Sequence, residues 1–309
     1  MSAALALESR PSLPRAASAR HLMLIANGNA SGVGGHREVL DGAVRQLRDR
    51  GARVDAHVTT SLDELAHLVH EADRRVVLLG GDGSVHAFAN VDGPKPEVAL
   101  LPAGRANNIA HSLSIPIDLA SAARVAVESG VGPLDLIAAT ANGQTVHALE
   151  GVSVGFHSLA RSGYRGVNSA DFRAGIRAAA STLARFEPGP VLVESDGAAE
   201  LSSLNQLFVV NFPLFAFGLR VAPDADPGDG LLDLVAVEAS SRAALVANLV
   251  RMRRGSHIGR RGIRAWRARE VRVSTGGRWP VVADTTTIGT GAVEIRLEPA
   301  AFSIARPGR

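Results

Sequence analysis

Cysteine is absent from the 309 residues. No disulfide can staple the chain, and no thiolate can hold a metal. The absence agrees with a reducing, cytoplasmic setting. Lysine is nearly absent too: Lys95 stands alone among 33 basic residues. So uniform an arginine bias reflects a GC-rich coding sequence more than a need for bidentate contacts. Long apolar runs are missing, since no stretch approaches the ~18 apolar residues that a membrane span needs. Residues 1–20 are rich in Ala, Ser and Arg. Their apolar part, Ala3 to Leu7, is shorter than the ~7–15 residues of a signal-peptide core, so a disordered leader is expected there. No repeat of fixed period occurs.

What is present is globular. Hydrophobic residues make up 46% and charged residues 20%, enough to bury a sizeable core. From His21 the chain alternates short apolar runs with helical periodicity. Strands are expected at His21 to Ala26, Arg53 to Thr59, Val76 to Leu79 and Val98 to Leu101. Helices are expected around Val39 to Leu47 and after the capping box Ser61-Leu62-Asp63-Glu64. This alternation predicts a Rossmann-like parallel sheet, covered on both faces, over residues 21–135. The rhythm then changes. Leu136 to Ala141 and Thr145 to Val154 read as a hairpin around Asn142-Gly143. A helix is expected from Asp171 to Phe186. Further strands at Val191 to Glu194, Gln206 to Asn211, Leu231 to Val237, Glu270 to Ser274 and Val293 to Leu297 predict a second, antiparallel domain over 136–309.

Three small-residue loops follow strands of the first domain. They are Asn27-Gly28-Asn29-Ala30-Ser31-Gly32, Gly80-Gly81-Asp82-Gly83-Ser84 and Pro102-Ala103-Gly104-Arg105-Ala106-Asn107-Asn108. Ligands of parallel sheets sit outside the carboxyl ends of the strands. Backbone N–H groups there favour phosphate. Asp82 is an anion and suits Mg²⁺ or a hydroxyl proton instead. A lone Gly-Asp-Gly is more often a plain turn, but three such loops at one sheet edge favour a phosphate site.

These segments, with Pro133-Leu134-Asp135-Leu136 and the run APDADPGDGLLDL at 222–234, resemble the diacylglycerol kinase catalytic family. That family comprises bacterial lipid kinases related to sphingosine kinases and, more distantly, NAD kinases. The resemblance covers most of residues 21–309 in order. It implies an N-terminal α/β domain, a cleft and a C-terminal antiparallel β-sandwich. It implies ATP held by Asn27, Gly80, Gly81, Gly83, Ser84, Gly104, Arg105 and Asn107, with γ-phosphoryl transfer to a lipid hydroxyl. Asp82 and Asp284 would be the catalytic acids, Asp82 assisting metal or hydroxyl. Structural Mg²⁺ would sit on Asp226, Asp229 and the Leu231 carbonyl; a solvated acidic turn is the other reading of that loop. The expected setting is cytoplasmic and peripheral to an anionic membrane, with a lipid substrate, no nucleic acid, and a homodimer left open.

The chain departs from that pattern. Where the family has Asp-Gly-Glu, with Glu the base toward the substrate hydroxyl, this sequence has Asp284-Thr285-Thr286. A neutral hydroxyl cannot take the proton. Ala87 replaces a usual acid, and Gly104-Arg105-Ala106-Asn107-Asn108 replaces Gly-Thr-x-Asn-Asp. The first loop lacks the frequent basic residue. Arg105 either contacts phosphate or occupies the site and blocks metal. A catalytically inactive relative that retains nucleotide or lipid binding is therefore one alternative. A serine hydrolase is another, because Gly151-Val152-Ser153-Val154-Gly155 matches G-x-S-x-G, with Asp226 or Asp229 and His257 following in order. Eight arginines over 251–269 form either a solvated face or a patch for anionic lipid headgroups, and the second reading is favoured.

Overall fold

The computed structural model describes residues 21–29, 37–162, 172–216 and 218–308. The expected leader and the end of the first loop, 30–32, lie outside them. The first half runs β1 (His21–Asn27), α1 (Arg37–Arg48), β2 (Arg53–Thr59), α2 (Leu62–Glu71), β3 (Arg75–Gly80), α3 (Asp82–Ala89), β4 (Val98–Pro102), α4 (Asn108–Ser112) and α5 (Leu119–Glu128). β1 lies between β2 and β3, β3 pairs with β4, and all of these pairings are parallel. Leu22 to Ala26 and Arg75 to Gly80 are buried throughout, as strands covered on both faces require. The Ser61 hydroxyl accepts from Glu64 N at 3.2 Å, while the Glu64 carboxylate takes Thr60 N.

α1 and α5 cover one face, packing Ala43, Leu47, Ala122 and Ala126 on Leu22, Leu24, Val77 and Leu79. α2, α3 and α4 cover the other, packing Leu65, Phe88 and Ile109 on Met23, Ile25, Val76 and Leu78. Adjacent strands β1 and β3 therefore send the chain to opposite faces. That crossing opens a crevice at their carboxyl ends, where parallel sheets bind ligands.

The second half runs β5 (Val131–Ala141), β6 (Gln144–Ala148), β7 (Gly151–Gly155), α6 (Phe156–Ser162), α7 (Phe172–Arg185), β8 (Gly189–Ser195), β9 (Ala198–Leu204), β10 (Gln206–Val210), β11 (Leu214–Phe215) and β12 (Leu219–Arg220). It continues with β13 (Leu232–Val237), α8 (Arg242–Arg253), β14 (Ile263–Ala268), β15 (Glu270–Ser274), β16 (Pro280–Ala283), β17 (Thr286–Thr290) and β18 (Ala292–Ala305). Six antiparallel strands, in the order β14-β13-β10-β7-β16-β17, form one sheet. It packs on β5, β8, β15 and β18 through a core that includes Val154, Phe208, Val235, Val273 and Ile295. This is the expected sandwich.

The two halves share a backbone. β18 pairs with β15 at one end, with β4 at Ile304 opposite Val98 at the other, and with β5 along most of its length. The boundary expected at 135 falls inside β5. The expected hairpin is shorter than its second strand suggested. Asn142 and Gly143 take the positive φ of an Asn-Gly turn, and β6 follows, but the chain then leaves for the other sheet as β7. The reason is a contact distant in sequence: Leu149, Glu150 and Gly151 give their N–H groups to the Asp284 carboxylate rather than to a neighbouring strand.

Asp135, buried within β5, ties this joint together. Its Oδ2 accepts from Gly230 N and its Oδ1 from Ala300 N, each at 2.8 Å. Hydrogen bonds to a charged group contribute about 1.5–3 kcal/mol each. Asp135→Ala is therefore expected to lose about 3–5 kcal/mol, read as a lower urea midpoint at constant slope. A loss below about 1 kcal/mol would show that the joint holds by strand pairing alone.

Candidate functional site at the strand ends

The loops after β1, β3 and β4 meet at the crevice, but the glycines there have different physical reasons. A Cβ on Gly80 would stand 2.1 Å from Ser84 Oγ, so the side chain's absence makes room for the first turn of α3. Gly81 and Gly104 face each other: a Cβ on either would come within 2.8 Å of the other's Cα. They join two loops at van der Waals contact. A Cβ on Gly83 would meet nothing within 4 Å. Of the glycines named for nucleotide binding, Gly83 alone has no neighbour in the protein that demands it, and it is exposed.

Asn107 serves its own loop. It is buried in left-handed backbone with φ 47°, its Oδ1 accepts from Gly104 N at 3.0 Å, and its Nδ2 donates to Gly104 O at 2.9 Å. Asn27 bridges outward, donating to Ser84 Oγ at 3.4 Å and accepting from Asn29 N at 2.9 Å. Arg105 is exposed at the tip of the third loop. Asp82 opens α3, and its Oδ1 accepts from Ile109 N at 2.9 Å, so it also caps α4. Burial raises its carboxyl above the usual range.

Asp284 stands in the turn after β16, in left-handed backbone with φ 47°. Its carboxylate accepts from Leu149 N, Glu150 N and Gly151 N at 2.8–3.0 Å. His86 Nε2 lies 3.6 Å away. Burial nonetheless raises its carboxyl. Thr286, where the resembling family carries Glu, is exposed and paired with Ala283 in the β16–β17 hairpin. Between Asp82 and Asp284 lies Glu150, which the sequence reading passed over. Its Oε2 accepts from Asn108 Nδ2 at 3.2 Å. Burial first, then the charges of Asp284 and Asp82, push its carboxyl well above the usual range. The signal for it was an isolated acid in the apolar run Val146 to Val154.

The acidic loop at 222–234 has partners of its own. Asp229 Oδ1 accepts from Leu231 N at 3.1 Å, and its Oδ2 is 3.5 Å from Arg267 Nη1. Arg267 also donates to Asp233 at 2.9 Å and to the Asp224 carbonyl at 3.1 Å. Among the described residues no three acidic or histidine side chains gather as a metal cage. The resemblance implied Mg²⁺ on Asp226, Asp229 and the Leu231 carbonyl; in this loop the Arg267 guanidinium supplies counter-charge to Asp229 and Asp233.

Ser153 is not a nucleophile elbow. It is fully buried in the middle of β7, flanked by β10 and β16. Its hydroxyl shares a 2.8 Å hydrogen bond with His157 Nδ1, and burial lowers His157 to about 4. His257 is tied instead to the Val221 carbonyl at 2.8 Å. The structure does not bring the expected triad together.

Residues 150–306 match the family model described as the YegS C-terminal NAD kinase beta sandwich-like domain, and residues 21–139 match the diacylglycerol kinase catalytic domain. A diacylglycerol kinase of Mycobacterium tuberculosis (strain CDC 1551 / Oshkosh) is 28% identical over 295 residues, covering 90% of this chain and 92% of the relative. One of Bacillus subtilis (strain 168) is 24% identical over 250 residues, covering 75% and 78%. A crystal structure of a diacylglycerol kinase from Bacillus anthracis str. Sterne shares the fold with a TM-score of 0.69 at 20% identity, covering 94% of this chain and 97% of that one.

Two stability measurements test these assignments. Gly81→Ala must separate two loops and is expected to lower the melting temperature. Gly83→Ala adds a methyl in open space near the start of a helix and is expected to raise stability by about 0.5–1 kcal/mol; equal effects would refute the distinction. At the acidic loop, Arg267→Gln is expected to lower the melting temperature, because Asp229 and Asp233 lose their counter-charge. A midpoint of the unaltered chain that rises with Mg²⁺ over chelator, and no longer does so in Asp229→Ala, would put a metal on the loop; identical midpoints would leave it to Arg267.

Proposed function

Since the chain belongs to the diacylglycerol kinase catalytic family of lipid kinases, we propose that it moves the γ-phosphoryl group of Mg²⁺-bound ATP to the hydroxyl of a diacylglycerol-like lipid at a membrane surface. Phosphoryl transfer depends on positioning and charge neutralisation more than on covalent chemistry. The crevice at β1 and β3 and the open approach over Gly83 suit the phosphates of a nucleotide. The partly exposed acids Asp82 and Glu150 suit the hydroxyl end of the reaction.

The observation that carries the lipid half is an apolar cavity of about 200 Å³ in the second half of the chain. Phe156, His157, Ile176, Phe208, Ala216 and Leu249 line it. Of its two ionisable residues, His157 is neutral at pH 7 because burial holds it near 4, and Arg161 is the half-exposed charged one. Such walls accept an acyl chain. The β11–β12 turn links cavity to acids: Ala216 lines the cavity, and a Cβ on Gly218 would stand 3.8 Å from Asn108 Oδ1. A lipid with its chain in the cavity would have its polar end near Asn108.

The surface around that cavity supports membrane docking. Val246 and Val250 lie one turn apart on the outer face of α8, with exposures of 41% and 48%, and Ile176 on α7 is 54% exposed. Arg251, Arg253, Arg254, Arg260 and Arg261 are exposed around the end of α8. The basic run divides here: Arg264 and Arg267 are committed to ion pairs on β14. Exposed arginines beside apolar side chains suit an anionic bilayer, each adding about 1 kcal/mol near the surface.

A second reading, a relative that binds nucleotide without turnover, has Thr286 and Ala87 in its favour. One assay separates the two. Purified protein with Mg²⁺, labelled ATP and vesicles of phosphatidylserine with diacylglycerol is expected to put label into the organic phase. Gly83→Ala should weaken ATP binding without loss of stability. Sedimentation with the same vesicles should weaken as salt rises. Nucleotide binding without organic-phase label from any lipid hydroxyl would favour the second reading. Absence of both would reject the kinase.

A further inference from the structure

We propose that Glu150 takes the proton of the acceptor hydroxyl, in place of the glutamate that Thr286 replaces; this deepens the kinase reading and rests on it. The argument is one of which oxygen is left to do the work. Thr286 is neutral and exposed. Asp284 has both carboxylate oxygens engaged by backbone N–H groups. Asp82 spends Oδ1 on the start of α4. Glu150 Oε2 accepts one amide hydrogen bond from Asn108, and its Oε1 accepts none among the described residues. Its backbone is fixed on both sides, since Glu150 N donates to Asp284 and Glu150 O accepts from Asn211 N, each at 3.0 Å. A carboxylate held this firmly, with one oxygen available, is what proton abstraction requires.

In the step proposed, the lipid O–H bond breaks and its proton passes to Glu150 Oε1. The lipid oxygen forms a bond to the γ-phosphorus of ATP, the bond from that phosphorus to the bridging oxygen breaks, and ADP leaves with the electron pair. The proton then returns to solvent. Asn108 is a positioning residue, because its amide favours the ionised carboxylate and orients it.

The surroundings set the pH dependence. Asp82 on α3 and Asp284 on the turn after β16 face Glu150 and disfavour its charge. His86 stands beside Asp284, and His111 acts on Asp82. Arg253 donates to the Gly218 carbonyl near Asn108. Burial and the two acids raise the Glu150 carboxyl, so the base works only above that raised value. Activity should climb with pH through an acid limb displaced above the ordinary glutamate range.

The test uses the full chain with Mg²⁺-bound ATP and diacylglycerol vesicles. Glu150→Gln is expected to lower kcat by about 10²–10⁴-fold, to leave nucleotide affinity nearly unchanged, and to abolish the acid limb of kcat/KM. Glu150→Asp should retain the limb at reduced kcat. Asn108→Ala should move the limb to higher pH, and Thr286→Ala should change neither rate nor profile. An active Glu150→Gln with the original limb would overturn the proposal while leaving the kinase intact. So would a weakened affinity for Mg²⁺-bound ATP with the limb unchanged, which would make Glu150 a nucleotide contact. Wild-type protein that phosphorylates no lipid and binds no nucleotide would overturn kinase and base together.

Discussion

The three hydrogen bonds from Leu149, Glu150 and Gly151 to the Asp284 carboxylate hold the point on which the architecture turns. Here the chain leaves the sheet that contains β5 and β6 and enters the opposing sheet as β7. A strand that ends in mid-core would strand its N–H groups without partners, at a cost of about 1–3 kcal/mol each. One carboxylate receives all three. The contact also sets the site, because the middle residue of the three is Glu150. Asp284 itself pays in backbone strain, sitting at φ 47°. Aspartate tolerates that region better than most residues, since its short side chain bonds locally. The bond Asp284 N makes to Gly151 O at 2.8 Å closes the arrangement from the other side.

Much of the fold could be read from the sequence because its strands are either buried on both faces or alternate cleanly. β1, β3 and β4 are continuous apolar runs, and Arg53 to Thr59 alternates as an edge strand should. The change of rhythm after residue 135 reported the shift to antiparallel pairing correctly. Periodicity could not show that β18, a strand at the far end of the chain, returns to lie between β4 and β15. Its local pattern is that of any half-buried strand, and the partner is a matter of tertiary packing. Nor did pattern reveal the break at Leu149. Thr145 to Val154 reads as one strand, and the group that divides it stands 133–135 residues further along.

The site was legible in outline but not in the roles of its residues. Glycines at strand ends did mark the crevice. They did not reveal that Gly81 and Gly104 touch each other, which gives both a structural reason of their own. Asn107, read as a nucleotide contact, has both ends of its amide engaged by Gly104. Short loops are over-determined in this way: the residue types that approach a phosphate are also those that allow two loops to meet. Glu150 was missed because no motif contains it. Its importance comes from acids on three distant segments converging, which spacing cannot express.

That convergence carries an energetic consequence opposite to that of ordinary surface carboxylates. An acid paired with a cation has a lowered pKa and stabilises the fold above it; the stability is lost on acidification. Glu150, Asp82 and Asp284 are all shifted upward, chiefly by burial. Their neutral forms suit the fold, and stability at this junction is fullest below the ordinary carboxylate values. It is lost as pH rises through the raised ones, where ionisation places negative charges together in a poorly solvated place. The backbone N–H groups around Asp284 and the amide of Asn108 offset part of that cost, but they do not reverse the shift. An arrangement that works against stability near neutrality needs rigid support, and the shared strand β18, the Asp135 joint and the glycine contact between loops supply it. Concentrating carboxylates with raised pKa values at one point, and bracing them from both halves of the chain, is the pattern expected of a site whose acids serve chemistry as well as folding.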